Sequence, residues 1–475
     1  MALFSLKGVN KLIISKKLIQ EVINESAKTG CDFVEVFLED TISHSVKVVG
    51  GKVEASVEDH TKGIGLRLAL GSDYVYGYTN SLDKKSLLKL AQDLSSRYNG
   101  AITVPTPLGK LQKGKHHKAI ISPKDVTDEM RVEKVMEIYN ASRAYSPLII
   151  QSTAMYSDEI QNIMVAKSDG RFVEDQRVHT RVYSSAIASD SKSRESGSYN
   201  PGMAMGFEVF DKLINTKEVG EEASRMAIVN LKADYCPAGE MPVIIENGFG
   251  GVIFHEAVGH SLEATSVARN SSVFCGKLNT KVAHNCVNAY DDGTLENEWG
   301  SSNFDDEGNK QKRRQLIKNG VLVSYMIDEL NARKMKSACT NSGRRESYKY
   351  APTSRMSNTF IAPGKSSLED MLKDIKFGLY AKSLGGGSVN PATGDYNFAV
   401  NEGYIIRNGK IEEAVKGATL VGNGRDTLSK IIMVGPNLLL GQGMCGSMSG
   451  SIPVNVGQPA IKVSSITVGG RKKQC

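Results

Sequence analysis

Two histidines five residues apart, His255 and His260, with a glutamate directly after the first, constrain this chain more than any other feature of its sequence. They sit in Gly250-Gly251-Val252-Ile253-Phe254-His255-Glu256-Ala257-Val258-Gly259-His260, apolar enough around them to read as a buried helix. On a regular α-helix, residues four apart lie about 40° from one another around the axis, whereas residues five apart diverge by about 140°. Both imidazoles can face one point only if the backbone is distorted between them. A single π-type turn restores a shared face, and such turns are frequent at functional sites. The distortion is expected between Val258 and His260, with Gly259 as the residue that permits it. The plain alternative is a regular buried helix carrying two unrelated histidines.

The rest of the chain is that of an ordinary globular protein. Its 475 residues suffice for two or three domains. With 40% hydrophobic residues, 23% charged residues and 46 glycines, it is not disordered, collagenous or coiled-coil. A net charge of +7 is too dilute over this length to mark a nucleic-acid binder. No apolar run approaches the roughly 18 residues of a membrane span. Lys7, Lys11, Lys16 and Lys17 interrupt the first twenty residues, leaving no secretory core. Seven cysteines without C-x-x-C spacing fit a reducing compartment, so the expected location is the cytoplasm.

Periodicity divides the chain into three parts and predicts an α+β protein. Residues 1–108 read as an N-terminal α+β domain, with helices around Leu18–Ile23 and over Lys84–Tyr98. Between them lie short strands, Phe33–Leu38, His44–Val49, Gly65–Leu70 and Tyr74–Tyr78, of an antiparallel sheet. Residues 109–236 form a middle α+β region, entered through a linker whose cations and histidines, Lys113, Lys115, His116, His117 and Lys118, read as a solvated run. Helices are expected over Val126–Ala144 and Thr216–Lys232, with strands over Leu148–Val182. After Pro237-Ala238-Gly239, residues 237–475 are rich in glycine and short strand-like runs, a mainly β, barrel-like domain.

The histidine pair is an H-E-x-x-H zinc motif stretched by one residue. A catalytic zinc typically takes three protein ligands and keeps one position open, and the sequence offers several third ligands. Glu263 follows His260 by three residues, His284 and Cys286 form an H-x-C pair, and Cys445 lies in Gly441-Gln442-Gly443-Met444-Cys445-Gly446-Ser447. Each has a bland counterpart, because free cysteines are often small core residues and a helical glutamate is usually solvated.

The C-terminal half resembles the TldD/PmbA family of metallopeptidases, and specifically its metal-binding, TldD-like branch. Beyond the histidine motif, the resemblance rests on Asp291-Asp292-Gly293-Thr294, Asp305-Asp306-Glu307-Gly308, Leu330-Asn331-Ala332-Arg333, Gly343-Arg344-Arg345-Glu346-Ser347-Tyr348, Lys416-Gly417-Ala418-Thr419-Leu420 and Val456-Gly457-Gln458-Pro459. It is dense from about residue 242 to 470. It implies a zinc peptidase domain with one Zn2+ per chain, in which His255, His260 and Cys445 are the metal ligands and Glu256 is the acid/base residue. Cys445 then takes precedence over Glu263, which becomes a supporting residue.

A peptidase of this kind also needs a donor for the developing oxyanion, and Arg344, Arg345 and Tyr348 are chemically able to bind substrate there. The competing reading of the arginines is a structural ion pair with Glu346 or the Asp305–Glu307 turn. The resemblance implies unfolded or extended peptides as substrates. It also implies a dimer, either of identical chains or with a motif-less TldE/PmbA-type paralogue; from the apolar runs and the charge, no membrane or direct nucleic-acid partner is expected. Two other functions stay open: a regulatory partner of the gyrase-modulator type, and a small-molecule zinc amidohydrolase. Gly385-Gly386-Gly387 followed by Asp395–Val400 suggests an edge to which substrate adds as a strand.

Overall fold

The runs Phe33–Leu38 and His44–Val49, expected as two strands, are one. In the computed structural model, which describes residues 14–115, 119–390 and 392–471, the strand Phe33–Val49 is unbroken. It pairs antiparallel along its length with Lys52–Leu70 and with Ile149–Lys167. The polar stretch between the two runs, which reads as a loop, is the middle of a central strand whose side chains bond across the sheet. Glu39 accepts from Gln161 at 3.0 Å, and Asp40 accepts from Lys62 at 2.8 Å. The hairpin after it turns on Gly50-Gly51, with φ of 59° and 78°, the two left-handed positions that a two-residue loop requires.

Eight strands form this sheet, in the path Asp73–Thr79, Lys52–Leu70, Phe33–Val49, Ile149–Lys167, Phe172–Ser189 and Gln112–Lys113. Arg194–Tyr199 and Gly202–Met203 also pair with Phe172–Ser189. Strands from residues 1–108 and from 109–236 therefore share one sheet. Two helix pairs cover it at different ends. Lys16–Ser26 and Lys84–Ser95 bury Ile19, Val22, Leu87 and Ala91 on Val34, Val36, Leu66 and Leu68. Asp128–Ala144 and Thr216–Lys232 bury Val135, Ile138 and Val219 on Val46, Val48, Ala154 and Val182. His116, His117 and Lys118 of the linker lie outside the described residues.

Beyond Gly239 the fold is mainly β, as expected. Five strands, Phe377–Val389, Gly239–Ile245, Ile461–Gly469, Thr419–Asn423 and Asp395–Arg407, pair in that order, and the last pairs back on the first to close a barrel-like sheet. A second, six-stranded sheet ends on the hairpin Leu439–Ser447/Gly450–Gln458. The segment holding the histidines leaves the barrel strand Gly239–Ile245 and packs Val252, Ile253, Phe254, Ala257, Val258 and Leu262 into the domain core.

Gly250-Gly251 has a packing reason. A Cβ on Gly251 would stand 2.5 Å from the backbone N and C of Gly457, so the turn before the motif and the strand Gly450–Gln458 touch backbone to backbone. Backbone cannot rotate aside as a side chain can. Gly251→Ala should lower stability by about 1–3 kcal/mol, read from the denaturant midpoint. An unchanged midpoint would mean that this contact is not tight.

Candidate metal centre

The segment from Gly248 to Val267 changes helix type three times. A 3₁₀ turn, Gly248–Gly251, leads into one α-turn, Val252–Phe254, then a π-helical turn, His255–Gly259, and another α-turn, His260–Leu262. The His260 N–H donates to the His255 carbonyl, five residues back, which is the distortion that the spacing demands. Gly259 plays a different part from the expected one. Its φ and ψ, −53° and −54°, are open to any residue. A Cβ there would meet Met356 Sδ at 2.2 Å, so the glycine serves close packing.

The two rings meet edge to face with centroids 5.1 Å apart. Cys445, from the strand Leu439–Ser447, completes the group with its Sγ 3.3 Å from His255 Nε2 and 3.3 Å from His260 Nε2. All three ligand atoms lie within 4.8 Å of one another. Around a tetrahedral ion with nitrogen at about 2.0–2.1 Å and sulfur at about 2.3 Å, such atoms stand about 3.6 Å apart, so the set fits a small divalent ion of the zinc type. His255 and Cys445 are buried, at 1% and 4% exposure, so the group is closed on the protein side.

Burial opposes charge on Cys445, but His255 and His260 outweigh it and pull the thiol down to about 3, making the sulfur a thiolate at neutral pH. Burial would likewise lower His260, yet Glu263 and Cys445 hold it well above its ordinary value. Glu256 sits on the π-turn with its Oε2 3.7 Å from His260 Nε2 and 28% of its side chain exposed, so its carboxylate stands at the open side of the group.

The other third-ligand candidates go elsewhere. Glu263 has extended backbone (ψ 128°), which ends the α-turn and swings its carboxylate behind His260, where Oε2 accepts from Nδ1 at 3.1 Å. That is a supporting contact of the kind that orients a ligating imidazole. His284 and Cys286 pair with each other at 3.1 Å, and Cys286 packs against the core with its thiol on the Ile431 carbonyl.

Arg344 and Arg345 line a cavity of about 290 Å³ with Arg177, His179, Glu346 and Met444, the residue before Cys445. Both arginines are also structurally engaged. Arg345 pairs with Glu35 at 2.5 Å and donates to the Asp306 carbonyl at 2.8 Å, while Arg344 donates to the Met356 carbonyl at 2.7 Å. Burial draws Arg344 down to about 10. Tyr348, 5% exposed, is sealed against Gly63, with its ring edge-on to Tyr78 at 5.9 Å. A residue that no motif singles out, Arg355, is fully buried between Glu263 and the Cys445 carbonyl. A lone arginine in sequence gives no sign of this, because its partners lie far away along the chain.

The chain is similar to known proteins over most of its length. Models of the PmbA/TldA metallopeptidase domain 1, central domain and C-terminal domain match residues 34–97, 121–231 and 238–470. A Haemophilus influenzae protein named metalloprotease TldD homolog is 34% identical over 466 residues, covering 96% of this chain and 97% of its own. A Saccharolobus solfataricus protein named zinc metalloprotease TldD homolog is 26% identical, covering 94% and 99%. Among solved structures, TldE from Thermococcus kodakarensis superposes with a TM-score of 0.76 at 17% identity, covering 95% of this chain and 100% of that one. A Thermotoga maritima protein described as a candidate modulator of a DNA gyrase gives 0.78 at 20%, covering 96% and 100%. These two likenesses concern the fold. The identity across nearly the whole length and the three consecutive domain matches place this chain in the PmbA/TldD metallopeptidase family.

Proposed function

We propose that this chain is a zinc-dependent peptidase acting on unfolded or extended peptides, with one ion per chain held by His255, His260 and Cys445. The observation that carries the reading is the convergence of these three side chains beside the accessible carboxylate of Glu256. When bound, zinc held by three protein ligands leaves a position for water, lowers that water's pKa to about 7 and polarises a carbonyl. Glu256 takes the proton of the attacking water on its carboxylate and returns it to the leaving amine. Glu263 keeps His260 in the tautomer that presents Nε2. The wall of the cavity beside Met444, which Arg344 and Arg345 help to form, is where we place the substrate.

Strand addition is supported on one side of the hairpin only. Asp395–Ala399 is already paired on both edges, with Thr419–Asn423 and with the strand holding Gly385–Gly387. The outer edge of that glycine strand beyond Ala381 has no partner strand among the described residues, and a Cβ on Gly386 would meet nothing within 4 Å. This edge is where an extended peptide can pair. Among the described residues no helix is long and apolar enough to cross a membrane. The assembly is a dimer of identical chains or a pair with a TldE/PmbA-type paralogue, which the mass of the active species in solution distinguishes.

The test is metal analysis together with digestion of an unstructured peptide, the same sequence in folded form, and small amides. One zinc per chain with cleavage of the unstructured peptide alone is expected. Preference for small amides would favour the amidohydrolase reading, and a metal-loaded chain that cleaves none of them would favour a regulatory partner.

A further inference from the structure

Arg355 joins the two halves of the centre. Its guanidinium is fully buried, and such a charge is costly out of water unless it is paired and hydrogen-bonded. Nη2 donates to the Cys445 carbonyl, and Nη1 donates to Ser449 Oγ and to the Gly450 carbonyl, each at 3.0 Å. Nε stands 3.8 Å from Glu263 Oε1, and the other oxygen of that carboxylate accepts from His260 Nδ1. One planar fork thus spans from the segment carrying His260 to the turn carrying Cys445.

That turn needs holding. Among the described residues, Leu439–Ser447 is the outermost strand of its sheet, paired on one side only, by Gly450–Gln458. Trp299 donates to the Gly443 carbonyl at 3.0 Å, and Glu346 accepts from Ser451 N at 2.6 Å and donates its own N–H to the Ser449 carbonyl at 2.8 Å. These contacts fasten the hairpin to the protein, but neither reaches the carboxylate behind His260. We propose that Arg355 is a positioning residue: together with Glu263 it sets the Cys445 sulfur at metal-binding distance from His255 and His260. The inference rests on reading those three residues as metal ligands. A lysine cannot replace the fork, because one ammonium cannot meet two carbonyls and a hydroxyl in a plane while facing a carboxylate.

The experiment uses the full chain, stripped of metal and titrated with Co2+, as the parent, Arg355→Lys, Glu263→Gln and the double variant. In the parent, a thiolate-to-cobalt charge-transfer band in the near ultraviolet reports the Cys445 bond separately from the visible bands of the ion. In Arg355→Lys, Co2+ affinity measured against a chromophoric chelator should fall by about 10–100-fold, with the charge-transfer band weakened more than the visible bands. Metal-free Arg355→Lys should itself unfold somewhat earlier than the parent, because lysine leaves buried acceptors without a donor, but by too little to account for the lost affinity. Glu263→Gln should lose affinity in the same range, and the double variant should be little worse than either single, since the two side chains act as a unit. If Arg355→Lys does not fold, Glu263→Gln carries the same readouts. Unchanged affinity and band in the variants, additive losses, or affinity falling only in step with metal-free stability would overturn the proposal. A parent that takes up no cobalt would instead defeat the metal-centre reading beneath it.

Discussion

Cys445→Ala should bind its metal at least about a hundredfold more weakly than the parent, whereas Glu256→Gln should keep the metal and lose peptidase activity by about 10²–10⁴-fold. The two losses separate because the residues stand in different relations to the site. Cys445 supplies a sulfur within reach of both imidazoles, at 3.3 Å from each, and removing a ligand costs more than the 10–100-fold typical of a supporting residue. Glu256 approaches His260 only to 3.7 Å, so an isosteric amide there leaves the ligand set intact and removes the proton acceptor. Acid should also weaken metal binding. His260 is held above its ordinary value, chiefly by Glu263 against the pull of burial, so at neutral pH the ion must displace its proton. Affinity should therefore rise with pH by up to about tenfold per unit until the imidazole is neutral. Metal analysis, chelator competition at several pH values and peptide digestion check all three. Full metal retention in Cys445→Ala alongside loss in Glu263→Ala would reassign the third ligand.

The parts of this site written locally could be read from the sequence, and those made by distant strands could not. If both imidazoles are to share one face, the five-residue spacing requires a π-turn, and the structure has it from His255 to Gly259. Spacing cannot choose among Glu263, Cys286 and Cys445, since the choice depends on an edge hairpin almost two hundred residues away. The family resemblance favours Cys445, and the geometry brings its sulfur to the two imidazoles. In the N-terminal sheet, hydrophobic alternation finds the ends of Phe33–Val49 but not its middle, where Glu39 and Asp40 bond to neighbouring strands. The same blindness leaves the arginines of Gly343–Tyr348 open between substrate contact and an ion pair with Glu346 or the Asp305–Glu307 turn, and gives no sign of the tie of Arg345 to Glu35, more than three hundred residues earlier.

That tie has a large expected consequence for stability. Glu35 bonds Arg67 at 2.7 Å and Arg345 at 2.5 Å with Lys167 at 3.6 Å, and all four side chains are at most 1% exposed. Arg67 also reaches Glu307 at 2.7 Å, and Lys167 reaches Glu329 at 2.7 Å, so the network ties the N-terminal sheet to the C-terminal domain. The carboxylates in it are not equivalent. Burial opposes ionisation of Glu35, but three cations outweigh it and hold the group down at about 2. For Glu307, burial together with Glu329 and Asp328 outweighs Arg67 and pushes it up to about 8. At neutral pH the negative charge facing Arg67 and Arg345 is therefore chiefly that of Glu35. Glu35→Gln, which leaves two buried guanidinium groups short of an anion, should cost about 3–5 kcal/mol, whereas Glu307→Gln should cost no more than about 1–2 kcal/mol. The sign with pH follows from the lowered value: the Glu35 contribution is present above the ordinary carboxylate range and is lost as pH falls from about 4.5 toward 2. It amounts to about 3 kcal/mol in the parent and is absent from Glu35→Gln. Urea midpoints of the metal-free proteins across that range measure both effects. Equal losses from the two glutamine substitutions would show that the charge is shared between the carboxylates, and the assignment of the network to Glu35 would fall.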